Sequence, residues 1–263
     1  MNNDLKKILK ILNNNKFEAY VVGGYVRDYL LGIPSNDYDI CTNAKEEDIK
    51  KIFNVKESNF GSCKIEYKKQ LYEITTYRKD VNYLNHRKPE KIEYVDNLKE
   101  DLLRRDFTIN TICMDKDGNI IDLLNGEKDL QDRIIRTVGN ADAKIEEDAL
   151  RILRAIRLAT ILDFSLDQEL YDSIKKYGYL VQELSYYRRR KELDIIFTSK
   201  NYRHGLKMIK ELGLAQYLEI RTDFERTSLV GIWAQINNDK YPFTKAEKKL
   251  MNEYLNEHPI KDS

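Results

Sequence analysis

Residues 20–42 read YVVGGYVRDYLLGIPSNDYDICT, and the fold is decided here. An apolar run at Tyr20, Val21 and Val22 meets the pair Gly23-Gly24. The segment that follows carries Val26, Leu30 and Leu31 on one side before Gly32 closes it. That pattern predicts a strand, a glycine turn and a short helix. Paired glycines let backbone N–H groups approach a ligand closely, a helix start favours anions, and Arg27 adds a fork of donors suited to phosphate. Past Pro34, Asp37-Tyr38-Asp39-Ile40 alternates acid and apolar, and residues two apart on a strand share a face. Two carboxylates on one face repel unless a cation lies between them. Hard oxygen ligands suit magnesium, which also binds substrate phosphates. Each half alone says little, since a Gly-Gly pair is commonly just a turn and a D-x-D a solvated strand end. Together they point to nucleotidyl transfer.

At 263 residues the chain is long enough to bury a real core as one large domain or two ordinary ones. Lys and Arg number 45 against 44 Asp and Glu, a formal net charge of +1. Any basic surface for nucleic acid must therefore be local. Cys41, Cys63 and Cys113 lack metal-ligand spacing and read as reduced core thiols, which with the absence of a signal peptide predicts a cytoplasmic protein. No apolar run reaches the roughly 18 residues of a membrane helix, so no membrane partner is expected.

The joined pattern G-G-x-V-R-D-x-L-L-G followed by D-x-D resembles the head domain of the class II tRNA nucleotidyltransferase and bacterial poly(A) polymerase family, within the DNA polymerase beta superfamily. The resemblance implies that Asp37 and Asp39 bind catalytic metal, two Mg2+ ions, and that Gly23, Gly24 and Arg27 hold the incoming nucleotide. It also implies that Glu73, in the strand YEITTYR, is a third carboxylate beside the pair; from the alternation alone Glu73 reads equally as an exposed strand acid. The segment RRDFTIN matches a family motif that covers the nucleotide, with Arg105 as a triphosphate ligand and Asp106 and Asn110 as ribose or arginine partners. Thr111 stands where the family usually has alanine.

Taken in order, Leu5, Ile8, Leu9 and Leu12 predict a packing helix before the first strand. Residues 43–53 predict a capped helix with Ile49, Ile52 and Phe53 inward, and residues 64–77 a hairpin. Residues 78–89, RKDVNYLNHRKP, show no apolar period and predict an exposed mobile loop. The family's flexible loop here resembles D-G-x-Y-x-D-x-R-R-P; this chain keeps Tyr83, Arg87 and Pro89 and differs at Val81, Asn85 and Lys88. Asp-Gly at 117–118 marks a hairpin turn with a return strand over 120–124, and from Glu127 strands are expected to give way to helices.

Residues 146–162, EEDALRILRAIRLATIL, predict one helix on which Asp148, Arg151, Arg154 and Arg157 follow at i+3 steps, forming a ladder. An isolated helix of this kind reads as an ion-paired solvent face. The resemblance instead implies the family's E-D-x-x-R neck motif, in which Asp148 and Arg151 offer Watson–Crick-like edges to the incoming base and Arg154 and Arg157 extend the nucleotide-binding set. An arginine donates two parallel hydrogens and an aspartate only accepts, so the two can match cytosine or adenine. A second neck helix over 184–197 is capped at Ser185 and keeps Ser185, Arg188 and Glu192, with Tyr187 at a usual glutamate; a core helix over 202–218 follows.

The expected architecture is α+β. A nucleotidyltransferase head with a small mixed sheet spans residues 1–140, an all-helical neck spans 141–200, and a truncated body spans 201–263, the likeness fading beyond Arg221. The expected function is template-independent addition of C and A from CTP and ATP to the tRNA 3′ end, with tRNA and nucleoside triphosphates as partners. Poly(A) or A-only addition shares every motif named, and an RNA-binding or regulatory module without turnover is the alternative from another class.

Overall fold

The computed structural model describes residues 1–83 and 89–259, in two compact units that divide after Asn140. In the first unit, helix α1 (Asn3–Asn14) buries Leu5, Ile8, Leu9 and Leu12, the expected face. Its N-terminus is capped by Asn2, whose Oδ1 accepts from the Asp4 amide at 2.8 Å. Strand β1 (Ala19–Val22) leads through Gly23 into α2 (Gly24–Leu30), and β2 (Asp39–Thr42) follows. Then come α3 (Glu46–Ile52), β3 (Val55–Asn59), β4 (Ser62–Tyr67), β5 (Gln70–Thr76), β6 (Arg78–Tyr83), β7 (Pro89–Tyr94) and α4 (Leu98–Leu103). In α3 only Ile49 is buried; Ile52 and Phe53, expected inward, are half-exposed. The unit continues with β8 (Cys113–Met114), β9 (Ile120–Ile121), α5 (Gly126–Asp132) and the short β10 (Ile134–Ile135).

The main sheet has seven strands in the order β3-β4-β5-β2-β1-β8-β9. Five of its neighbouring pairs are antiparallel; β2 and β5 run parallel, which makes the sheet mixed. The predicted β4–β5 hairpin is present, with Tyr72, Ile74 and Thr76 buried and Leu71, Glu73 and Thr75 on the opposite face. Asp115 closes the predicted β8–β9 turn, its Oδ1 accepting from the amides of Asp117 and Asn119 at 2.8 and 2.9 Å.

Two further expectations fail. Residues 78–83 and 89–94 are not a loop: they form a two-stranded antiparallel ribbon, with Arg78 opposite Tyr94 and Lys79 opposite Glu93. The ribbon is stabilised by its ladder and by cross-strand pairs such as Lys79–Glu93 (3.1 Å) rather than by an apolar face, so no hydrophobic period marks it. Asn85, Arg87 and Lys88 lie outside the described residues. The strands also do not stop at Glu127, since β10 and a second two-residue strand, β11 (Ser165–Leu166), follow it.

The second unit is helical: α6 (Ala141–Glu147), α7 (Leu150–Leu162), α8 (Gln168–Tyr177), α9 (Tyr186–Thr198), α10 (Tyr202–Glu211), α11 (Leu214–Leu218), α12 (Leu229–Ile236) and α13 (Lys245–Glu257). Its core gathers Leu153, Ile156, Leu193, Ile196, Ile209 and Trp233, all nearly or wholly buried. Trp233 donates from Nε1 to Asp194 at 2.6 Å and packs against Phe197, Tyr241 and Phe243 with ring centroids 4.6–5.5 Å apart. Ser185 caps α9 as expected. The helix predicted over 202–218 is split by Gly213, whose φ of +68° ends α10 and starts α11. The helix predicted over 146–162 is likewise two, interrupted at Asp148 between α6 and α7. Among the described residues no helix is long and apolar enough to cross a membrane.

Candidate active site

Strand pairing assembles the site in the first unit. Antiparallel β1 and β2 place Val22 opposite Asp39, so the Gly23-Gly24 turn emerges beside the start of the D-x-D strand. Parallel β2 and β5 place Glu73 opposite Asp39, and the Tyr38 carbonyl accepts from the Glu73 amide at 3.1 Å. Gly23 adopts φ +85°, ψ −143°, a conformation open to glycine alone. A Cβ there would lie 3.7 Å from Asp39 Oδ2 and 3.9 Å from Arg105 Nη1; one on Gly24 would lie 3.9 Å from Asp37 Oδ2. Both carboxylates and Arg105 therefore border the glycine turn.

The alternation that turns Asp37 and Asp39 one way turns Tyr38 the other. There it joins Tyr25 and Tyr72, with ring centroids 5.1 and 5.3 Å away. Tyr38 and Tyr25 are anchored by Asn2, whose Nδ2 donates to the Tyr38 hydroxyl and whose amide donates to the Tyr25 hydroxyl, both at 3.1 Å. The tyrosine cluster had no marker in the sequence beyond the alternation itself.

Arg27 is held on two sides: its Nε and Nη2 lie 2.8 and 2.6 Å from Asp28 Oδ1, and its Nη1 donates to Asn110 Oδ1 at 2.9 Å. Asn110 Nδ2 donates in turn to Asp106 Oδ1 at 3.4 Å. The structure thus brings Gly23, Gly24, Asp37, Asp39, Glu73, Arg105 and the Arg27–Asn110–Asp106 chain into one unit. Sequence reasoning missed Asp101, which is fully buried in α4 and accepts from Arg104 Nε (2.9 Å), Arg105 Nη2 (3.3 Å) and the Arg78 amide (3.1 Å). The available signal was its spacing, three and four residues before Arg104 and Arg105 on a helix.

In the second unit the expected ladder is broken at Asp148, while Arg151, Arg154 and Arg157 follow one another along α7. Asp148 sits at the break between α6 and α7, where its Oδ1 accepts from the Leu150 amide at 3.0 Å and its carboxylate pairs with Arg188 of α9 at 3.5 Å. Arg151 is buried and reaches back to Glu147 and to the Lys144 carbonyl, both at 2.6 Å, while Arg157 pairs with Glu192 at 2.8 Å. Ending α6 after Glu147 leaves Asp148 in the break before α7, its carboxylate accepting from the amide two residues on, so only Arg151, Arg154 and Arg157 keep the spacing of one continuous helix. Arg154 lies on α7 between Arg151 and Arg157.

Burial, reinforced by the charges of Asp37 and Glu73 and opposed by Arg105 and Arg104, pushes the Asp39 carboxyl up to about 7 from an ordinary 3.8. Ser62 Oγ donates to Glu73 Oε1. Among the described residues no three His, Cys, Asp or Glu side chains are gathered closely enough to enclose a metal ion. Magnesium fits this donor set nonetheless, because it commonly takes one or two carboxylates and completes its shell with water and substrate phosphates. The buried Arg105 Nε, without a hydrogen-bond partner among the described residues, marks the same place as built for an anion.

With no cation to offset it, ionising the buried Asp39 carboxyl opposes folding. The folded-state pKa of Asp39 lies above its unfolded value, so the penalty is absent below about pH 4, grows through the interval and is complete above about pH 7. In a chelator at pH 8, Asp39→Asn should stabilise the protein by on the order of 1–3 kcal/mol, a gain that shrinks toward zero at pH 4. Thermal unfolding of both proteins across pH checks this; equal stability at pH 8, or a gain independent of pH, contradicts it.

Comparison with known proteins places the chain in a family. Residues 19–136 match the family model described as Poly A polymerase head domain, and residues 163–221 the one described as Probable RNA and SrmB- binding site of polymerase A. The chain is 41% identical over 226 residues to a CCA-adding enzyme of Ligilactobacillus salivarius, a match covering 84% of this chain and 56% of that one. It spans little more than half the length of the curated relatives it matches. Among solved structures, the Bacillus stearothermophilus CCA-adding enzyme in complex with CTP is 31% identical with a TM-score of 0.81, covering 99% of this chain and 72% of that one. A tRNA nucleotidyltransferase complexed with a primer tRNA and an incoming ATP analog is 25% identical with a TM-score of 0.69, covering 97% and 71%. The chain therefore belongs to the family of CCA-adding tRNA nucleotidyltransferases and poly(A) polymerases that carry this head domain.

Proposed function

We propose that the chain catalyses template-independent addition of C and A, from CTP and ATP, to the 3′ end of tRNA, building or repairing CCA. The observation that carries this reading is the register that sets Asp39 beside Glu73 while Asp39, Asp37 and Arg105 all border the Gly23-Gly24 turn. The likeness to a CCA-adding enzyme solved with CTP supports the choice of substrate.

Asp37 and Asp39 would hold the metal, with Glu73 adding negative charge from the neighbouring strand. Magnesium bound there would lower the pKa of an attacking RNA 3′-hydroxyl and neutralise charge on the departing pyrophosphate. The glycine turn, lacking side chains, lets the triphosphate lie against the backbone. Arg105 and Arg27 neutralise phosphate charge; Asn110 and Asp106 keep the Arg27 guanidinium oriented. In the second unit, Asp148 and Arg151 supply the acceptor and paired donors for the base edge, with Arg154 and Arg157 on the same helix. Asp148 is suited to this because its pair with Arg188 is long at 3.5 Å; Arg151 must exchange its bond to Glu147 for the base.

Incorporation of labelled CTP and ATP into tRNA lacking its CCA end tests the reading. Asp37→Ala and Asp39→Ala should each reduce incorporation to background while tRNA retention on a filter stays near wild type, because the lost groups hold metal and not RNA. Substantial turnover in both variants contradicts the metal assignment. The description of the matched head model favours a second reading, poly(A) addition; products extended by adenosine alone would select it.

Base choice is tested by kcat/KM for all four nucleotides. Asp148→Ala and Arg151→Ala should each erode the preference for CTP and ATP over UTP and GTP by about 1–3 kcal/mol, the scale of an unpaired group at a desolvated site. A role confined to ion pairing and capping predicts unchanged ratios with a lower unfolding temperature.

A further inference from the structure

We infer that Asp101 is a positioning residue for nucleotide binding: it fixes the Arg105 guanidinium against the glycine turn and ties it to the start of the β6–β7 ribbon. The inference rests on the reading of this unit as a nucleotide site.

Asp101 is the fully buried carboxylate of α4, and a buried charge persists only where its oxygens are satisfied. Three donors satisfy it. Oδ1 accepts from Arg104 Nε and from the amide of Arg78, the first residue of β6; Oδ2 accepts from Arg105 Nη2. One guanidinium therefore has two ends with different duties. Its Nη2 is gripped by Asp101, and its Nη1 is left beside Gly23, 3.9 Å from where a Cβ would stand, the same position that lies 3.7 Å from Asp39 Oδ2. The Arg105 Nε is buried without a partner, so nothing else along the guanidinium competes with Asp101 for its orientation among the described residues. Burial works against the charge on Arg105, yet its pKa is raised overall, with Asp101 the leading favourable cause. The side chain thus arrives at the turn charged, aimed and already paid for in rotamer entropy.

The same carboxylate fixes the ribbon. Arg78 Nη1 donates to the Phe60 carbonyl while the Arg78 amide donates to Asp101, so the first residue of β6 is held at both backbone and side chain. A shift of the ribbon and a shift of Arg105 must pass through one carboxylate.

The two duties separate chemically. Asp101→Asn keeps a carbonyl oxygen that can accept from the Arg78 amide but removes the charge that holds Arg105. The test is a double-mutant cycle on nucleotide affinity, read as the dissociation constants of CTP and ATP with calcium in place of magnesium. The four proteins are wild type, Asp101→Asn, Arg105→Ala and the double variant. Asp101→Asn should weaken binding of both nucleotides by about tenfold or more in the wild-type background, on the scale of a charge-assisted contact, and by less than about twofold when Arg105 is already alanine. In turnover, KM for nucleotide should rise more than kcat falls. Asp101→Glu, which keeps the charge but displaces it by one methylene, should show the same loss of effect in the Arg105→Ala background, and it serves where Asp101→Asn does not fold. An equal loss in both backgrounds overturns the inference and makes Asp101 a purely structural ion partner. Failure of the wild-type protein to bind either nucleotide overturns the functional reading, and the inference with it.

Discussion

The parallel pairing of β2 with β5 is the constraint on which the site depends. It sets Asp39 opposite Glu73 in a sheet whose other neighbouring strands run antiparallel. Because β1 lies on the other side of β2, the same strand end also meets the glycine turn. A slip of one residue in β2 would exchange the carboxylate face for the tyrosine face. Tyr38, packed between Tyr25 and Tyr72, opposes that slip from the buried side.

What this register assembles is electrostatically unfavourable on its own. Burial and two neighbouring carboxylates raise Asp39 toward neutrality, while Arg105 and Arg104 pull it back. Both arginines answer to Asp101, so the acidic face and the basic face of the site are balanced through one buried side chain. Carboxylates collected at a glycine turn, one of them pushed toward neutrality, signal function more than stability, because packing alone would not retain them.

The sequence carried the local parts of this arrangement well. The β1-turn-α2 unit, the acid alternation at Asp37 and Asp39, the β4–β5 hairpin and the Asp-Gly turn all rest on contacts within a few residues. It carried the non-local parts poorly. The β6–β7 ribbon has charged residues across its ladder and no apolar period, so its strands read as a loop. Asp101 looks like any solvent-facing helix acid until α4 is seen to bury it. The apolar set of residues 150–162 gives no warning that the helix begins anew after Asp148, and that break replaces the expected ladder with separate pairs to Glu147, Arg188 and Glu192. The parallel direction of β2 and β5 has no sequence signal, since period-2 patterns are the same either way.

The central claim, that the register-locked carboxylates exist to hold a cation against the nucleotide, is tested most directly by anomalous scattering from crystals soaked with Mn2+ and CTP. The account predicts manganese bound by the side chains of Asp37 and Asp39, with the triphosphate against Gly23-Gly24 and within reach of Arg105. Manganese and nucleotide bound elsewhere, with Asp37 and Asp39 left uncoordinated, would contradict it.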